Sequence, residues 1–350
     1  MSKTLGAGIV GMGWAAGEHF KAYQNNPHTE VRAVLSRTRE GAERKLAQLA
    51  DSGVDTGTVT VYDSYIDLVS NPAIDIVSIT SLPGCHVEQA VAAAYSGKHI
   101  CLEKPVALNP ADLRRLREAV AETHVKVAVC LECHYNPQVK MIKSVLDQGL
   151  IGAVYYLESD YYHGIGPWYK QWGWNVTCEQ GGSALLSAGL HALDLVMYFA
   201  GSEVVEVASF SCKGPNNPLK YCYDPNSVTI LKFANGAVGK CAASIEYRGP
   251  YYFPFELHGE AGALRDNKFY SLKLEGQKDF AEIPTVLLDS GDVTHHPYQD
   301  EIDELVQCIL EDREHSLNLD YAARCHEVVF AADLAAAEHR VVKMEEIRGK

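Results

Sequence analysis

Leu5-Gly-Ala-Gly-Ile-Val10 runs directly into Gly11-Met12-Gly13-Trp14-Ala-Ala16 and then into Gly17-Glu-His-Phe-Lys-Ala-Tyr23. The first six residues read as a short apolar strand, the last seven as helix, and the glycines between them as a tight turn. At such a turn Gly11 permits the sharp bend, Gly13 lets backbone approach a pyrophosphate, and small Ala16 keeps helix and strand close. The helix N-terminus adds amide donors and positive potential for the same anion. The opening lysine and apolar run imitate a secretory signal, but glycine at this density weakens a signal helix and suits a strand and turn. No later stretch reaches the ~20 apolar residues of a membrane span.

Working outward, a second strand, Val31-Arg-Ala-Val-Leu35, ends in Ser36-Arg37-Thr38-Arg39. A carboxylate here would grip an adenosine ribose and reject a 2′-phosphate; a hydroxyl and a guanidinium would welcome one. The expected cofactor is therefore NAD(P), with NADP favoured over NAD through Ser36 and Arg37. Ile74-Asp-Ile-Val-Ser-Ile-Thr80, helix-like Glu88-Gln-Ala-Val-Ala-Ala-Ala and His99-Ile-Cys-Leu-Glu103 continue the alternation. Strands alternating with helices predict an α/β doubly wound parallel sheet whose ligand crevice lies at the strand C-terminal ends. Thr80-Ser81-Leu82-Pro83 and Glu103-Lys104-Pro105 fall there. Burial beside a cofactor would depress the Lys104 pKa and fit it to donate a proton or polarise a carbonyl.

At 350 residues the chain exceeds the size at which one core keeps growing, so two domains sharing one crevice are expected. Lys plus Arg total 31 against 45 Asp plus Glu, a net charge of 31 − 45 = −14; that field repels phosphate backbones and anionic membranes, so neither nucleic acid nor membrane is an expected partner. Ten cysteines are too few for a disulfide scaffold and fit reduced thiols in the cytoplasm. Cys130-Leu-Glu-Cys133-His134 imitates a haem-attachment pattern, but Cys130 closes the strand-like run Val125-Lys-Val-Ala-Val-Cys130. His295-His296 and the cysteine pair lack partners at structural-site spacing, so no metal is expected.

These elements resemble the glucose-fructose oxidoreductase, inositol dehydrogenase and rhizopine catabolism family, Gfo/Idh/MocA. The resemblance rests on the glycine loop Gly11 to Ala16, the turn Thr80 to His86, Glu103-Lys104-Pro105 after Gly97-Lys-His-Ile, and Gly149-Leu-Ile-Gly152. It continues through Gly181-Gly-Ser-Ala-Leu-Leu-Ser187-Ala-Gly-Leu-His191-Ala-Leu-Asp194 and the closing Tyr298-Gln-Asp-Glu-Ile-Asp-Glu-Leu. It implies a Rossmann domain over 1–125 and, over 126–350, an α+β domain with a large open, mainly antiparallel sheet. That second domain would bind substrate and join a homo-oligomer, a dimer or tetramer. Val204 to Cys212, Val228 to Phe233 and Gly239 to Tyr247 read as its strands, with Ala234-Asn-Gly-Ala237 as a hairpin turn. No linker rich in Ser or Pro separates the halves.

The resemblance also implies that Met12, Trp14, Thr80, Ser81, Leu82, His86, Glu103 and Lys104 line the cofactor. In the family a lysine joins an Asp and a His four residues apart on one helix. Lys104 and His191 match, but Ser187 stands where the Asp would be. A carboxylate would favour imidazolium by attraction, whereas a hydroxyl only orients the ring, leaving His191 a more freely titrating base. His191 could instead be a buried histidine satisfied by Asp194. Tyr155 to Asn175 holds three of the four tryptophans, and aromatic faces beside polar groups suit a carbohydrate or cyclitol substrate, though they also suit a core or an interface. His163, Trp168 and Trp172, with His134 and Asn136 after the last crossover strand, complete the substrate candidates. The expected activity is an NAD(P)-dependent dehydrogenase or reductase. One alternative is a redox-neutral glycosidase or lyase using tightly bound NAD(H) and transient sugar oxidation. Another is a non-catalytic dinucleotide-binding sensor.

Overall fold

The computed structural model describes residues 4–288 and 297–348; His295 and His296 lie outside them. The described chain divides into two compact units, residues 4–132 with 297–323, and residues 133–288 with 324–348.

The first unit is a six-stranded parallel sheet in the order β3-β2-β1-β4-β5-β6. Its strands are β1 (Leu5–Val10), β2 (Thr29–Leu35), β3 (Thr60–Tyr62), β4 (Ile76–Ile79), β5 (His99–Leu102) and β6 (Val127–Val129). Every residue of β1 and β4 is buried, as a parallel sheet covered on both faces demands. Connecting helices α1 (Ala16–Asn25), α2 (Arg39–Asp51), α3 (Tyr65–Ser70), α4 (His86–Tyr95) and α5 (Pro110–Thr123) alternate with the strands. Thr38, Ser64 and Asn109 accept main-chain N–H groups at the starts of α2, α3 and α5, which is why these helices begin where they do. Where the sequence suggests a break after residue 125, the first unit keeps β6 and runs to residue 132. It also regains a later segment carrying the helix Tyr298–Glu311. Asn26 donates to Asp303 (2.6 Å), and Val129 N–H donates to the Leu317 carbonyl (2.9 Å).

The second unit is built on a ten-stranded sheet, most of whose neighbouring strands run antiparallel. Its elements include α6 (Pro137–Asp147), β7 (Val154–Ser159), β8 (Tyr161–Tyr162), α7 (Trp172–Asn175), α8 (Leu190–Ala200), β9 (Val204–Cys212), β10 (Asn226–Phe233) and β11 (Val238–Ser244). The expected hairpin joins β10 to β11 in antiparallel register from Asn226 opposite Ser244 to Lys232 opposite Val238. Helix α8 packs on β7 and β11, and alternation along β10 turns Val228 and Ile230 outward on the other face. Eight cysteines are free thiols, but Cys178 and Cys222 form a disulfide, against the expectation of reduced thiols throughout. Cys222 N–H donates to the Val176 carbonyl (2.9 Å), bringing together two cysteines 44 residues apart. Among the described residues, no helix is long and apolar enough to cross a membrane.

Candidate active site

In the first unit, the glycine loop is fixed from both sides. Gly11 has φ +92° and its N–H donates to the Leu35 carbonyl (2.8 Å). A Cβ there would meet the Ser81 and Thr80 backbone at 2.5–2.6 Å. The Thr80 hydroxyl donates to the Gly11 carbonyl, and the Ser81 hydroxyl to Gln89 (2.6 Å). Gly13 differs: a Cβ built on it would have nothing within 4 Å. The open space beside this exposed glycine, next to the N-terminus of α1, is the cradle a pyrophosphate needs, so these residues fit a dinucleotide. Met12 is buried, Trp14 half-buried and Leu82 exposed.

At the end of β2, Thr38 serves as the helix cap and Arg39 is committed to Asp63 and the Val61 carbonyl. Ser36 is half-buried and Arg37 exposed. The peptide between Lys104 and Pro105 is cis. His86 ties two of the expected cofactor turns together, its ring nitrogens 2.8 Å from the Pro105 carbonyl and 3.1 Å from the Ser81 carbonyl. Burial lowers its pKa despite those carbonyls, so the ring is neutral near pH 7 and donates to one of them at a time.

Glu103, expected to line the cofactor, turns its carboxylate inward. It accepts from the Tyr298 hydroxyl (2.9 Å) and lies 3.3 Å from His19 Nε2. His19 Nδ1 lies 2.6 Å from the Ser78 hydroxyl, and the sulfurs of Cys101 and Cys130 lie 3.8 and 3.9 Å from the ring nitrogens. Burial opposes imidazolium here, but Cys101 and Glu103 outweigh it and carry the His19 pKa up to about 10. The Cys130 thiol and then His19 hold Cys101 well below the usual thiol range. Nothing in the sequence joins this buried cluster beyond a histidine, a serine and two cysteines standing inside apolar elements.

In the second unit, residues Leu185–Gly189 form a π-helical turn leading into α8. The turn carries Ser187, and the first turn of α8 carries His191; both are buried. π turns inside helices concentrate at functional sites because the wider turn displaces the ladder. Ser187 donates its hydroxyl to Asn175 Oδ1, and the Tyr223 hydroxyl donates to the Asn175 carbonyl (2.6 Å). The oxygens of Asp194 face His134 Nε2 (2.8 Å) and the Cys325 sulfur (3.6 Å). The His134 ring also lies 4.2 Å from that of Tyr198, tilted by 51°. Asn136 caps α6 by accepting from Gln138 N–H (2.8 Å).

The aromatic segment is partly loop and partly helix, since Trp172 opens α7 rather than standing on a loop. Trp168 is on a loop, 59% exposed. Its indole N–H donates to the Gly164 carbonyl (2.8 Å), and the Arg248 guanidinium sits 4.9 Å from its ring. His163 lies edge-on to Tyr169 and Tyr251 at 4.9 and 5.3 Å.

Residues 5–131 match the family model described as "Oxidoreductase family, NAD-binding Rossmann fold", and residues 139–265 match the GFO/IDH/MocA C-terminal domain. The levoglucosan dehydrogenase of Pseudarthrobacter phenanthrenivorans is 26% identical over 305 residues, covering 80% of this chain and 77% of that protein. The inositol 2-dehydrogenase of Gluconacetobacter diazotrophicus is 26% identical over 236 residues, covering 67% and 65%. Among solved structures, a levoglucosan dehydrogenase in complex with NADH superposes with a TM-score of 0.84 at 22% identity, over 97% of this chain and 99% of that one. An open cradle at Gly13 and a His191 helix above an open sheet are thus found in a chain matched along both halves, which belongs to the Gfo/Idh/MocA family of NAD-binding oxidoreductases.

Proposed function

We propose that the chain is an NAD(P)-dependent dehydrogenase or reductase acting on a hydroxyl or ketone of a sugar, glycoside or cyclitol. The observation that carries this reading is the presence of Lys104 and His191 at the family's positions, in a chain whose glycine loop leaves the space above Gly13 open. The relatives named for levoglucosan and inositol support the substrate class. Gly11, Gly13 and the N-terminus of α1 would hold the pyrophosphate. A bound nicotinamide supplies a hydride acceptor or donor.

Lys104 stabilises alkoxide character as it develops on the substrate oxygen. His191 takes the hydroxyl proton in oxidation and returns it in reduction. Aromatic residues His163, Trp168 and Trp172, with His134 and Asn136, belong to the substrate side of this reading. NADP is the preferred nucleotide: no carboxylate ends β2, and Arg37 is exposed there while Arg39 is held by Asp63. Eight free thiols favour residence in the cytoplasm, while the Cys178–Cys222 disulfide counts against it. Outward-facing Phe210, Val228 and Ile230 on the sheet support a homo-oligomer.

The test is a panel of monosaccharides, glycosides and inositols with NAD and NADP, read at the nicotinamide absorbance band and by product analysis. Steady reduction of nucleotide with a polyol, lost in Lys104→Ala, is the expected result. Product formed without net reduced nucleotide would favour redox-neutral cleavage, and equal turnover by Lys104→Ala would overturn the mechanism.

A further inference from the structure

We propose that Arg248 is a specificity-determining residue that selects a sugar bearing a carboxylate, a uronate or its glycoside, over the neutral counterpart. The inference deepens the sugar-oxidoreductase reading of the second unit and rests on it. The Arg248 guanidinium is exposed and sits 4.9 Å from the centre of the Trp168 ring. Among the described residues it makes no hydrogen bond and no ion pair. Glu246, two residues earlier, keeps its Oε1 on the Gly214 N–H (2.5 Å) and the Asn226 side chain (2.6 Å). A guanidinium resting on a ring still presents a rim of N–H donors in a rigid planar fork. The charge is thus held in place by Trp168 without being neutralised.

Trp168 is itself fixed. Its indole N–H is committed to the Gly164 carbonyl (2.8 Å), and a Cβ on Gly166 would stand 2.4–2.6 Å from its ring, so only glycine admits the ring there. Ring and guanidinium therefore share one arrangement before a ligand arrives, which lowers the cost of using it. Both ends of this loop tie to the π turn that carries Ser187. At the first, Ile165 N–H donates to the Ile245 carbonyl (2.8 Å) and Gly164 bridges Glu246, just beyond the end of β11. There Ala243 packs on the π turn so closely that a Cβ on Gly189 would lie 2.6 Å from its own. At the second, the loop runs into α7 and Asn175, whose amide oxygen is hydrogen-bonded to the Ser187 hydroxyl. A sugar held at Ser187 has this loop as its border, with an unneutralised fork on it. A carboxylate meets such a fork with two parallel bonds and balances its single charge. A phosphate dianion would leave one charge over in a chain whose net charge is already −14.

The test uses D-glucuronate and D-glucose, which differ only in the carboxylate at C6. Calorimetry with excess reduced nucleotide reads binding without oxidation. The parent should bind glucuronate about tenfold or more tighter than glucose, the scale of one hydrogen bond to a charged group, and added salt should shrink that preference. Arg248→Met should abolish the preference at an unchanged urea midpoint, and Arg248→Lys, a charge without a fork, should keep only part of it. Gly166→Ala should lower it too by displacing the Trp168 ring while leaving Arg248 in the chain. Equal binding of both sugars by the parent, or a preference that survives Arg248→Met, overturns the proposal. Tighter binding of D-glucose 6-phosphate than of glucuronate overturns the choice of carboxylate. In turnover, the ratio of kcat/KM for glucuronate to that for glucose should fall with the binding preference. Arg248-dependent binding with oxidation of neither sugar supports the anion site and refutes the dehydrogenase reading for these probes. Oxidation of both at equal kcat/KM refutes the role of Arg248 and leaves that reading intact.

Discussion

Two glycines two residues apart should answer to the same substitution in opposite ways. At Gly11, alanine would adopt φ +92° and press its methyl within 2.5 Å of the Ser81 backbone. The left-handed backbone costs roughly 1–2 kcal/mol for an L-residue, and overpacking against main chain that cannot swing aside adds roughly 1–3 kcal/mol. Gly11→Ala should therefore lose about 2–5 kcal/mol of unfolding free energy in urea. At Gly13 the same methyl meets nothing within 4 Å, so Gly13→Ala should unfold within about 0.5 kcal/mol of the parent. Its methyl would occupy the space left for the pyrophosphate. A comparable clash of roughly 1–3 kcal/mol then falls on binding, weakening NADH affinity about 10- to 100-fold by fluorescence titration. A Gly13→Ala protein that binds NADH like the parent, or that is destabilised as much as Gly11→Ala, would refute the assignment of that open space to the nucleotide.

Reducing the Cys178–Cys222 disulfide, or replacing Cys222 by Ser, opens a 44-residue loop and should lower stability by about 4 kcal/mol on the chain-entropy relation; urea midpoints with and without reductant measure it. Replacing Arg37 by Ala should cut the ratio of kcat/KM for NADP over NAD about tenfold with little change for NAD, since Arg39 is already engaged by Asp63. The His19–Cys101 pair makes a specific pH prediction. Its raised histidine stabilises the fold below about 6.5 and loses this as pH rises through about 10, while its depressed thiol stabilises above about 9 and loses this as pH falls. The two shifts therefore remove stability on opposite sides, the thiol's contribution as pH falls and the histidine's as pH rises through about 10. Cys101→Ala should remove the acid-side decline in urea midpoints measured from pH 5 to pH 10.

Local pattern made the glycine loop and one hairpin of the second unit legible. Val10 to Ala16 joins an apolar strand to a helix through glycines, and Ala234 to Ala237 joins two alternating strands through Asn-Gly, so period and turn chemistry suffice in both places. Partners distant along the chain left no such trace. The apolar stripe of the Tyr298–Glu311 helix shows that it packs, but not that its Tyr298 hydroxyl meets Glu103. Cys178 and Cys222 are separated by 44 residues with no spacing rule to join them. Ser187 was readable as a candidate from the family's pattern, but Asn175 was only the end of the aromatic segment, and the bond between them follows from α7 and the π turn, whose wider geometry a four-residue helical repeat does not announce.

Return of residues 297–323 to the first unit bears on how this chain is made. Glu103 waits for Tyr298 and Asn26 for Asp303, so the opening sheet emerges from the ribosome long before its last helix exists. The 164 residues between 132 and 297 take roughly 8–33 s at about 5–20 residues per second. During that interval the nascent sheet bears an uncovered flank and a buried acid without its hydroxyl partner. Expression of residues 1–132 alone would make that transient condition permanent.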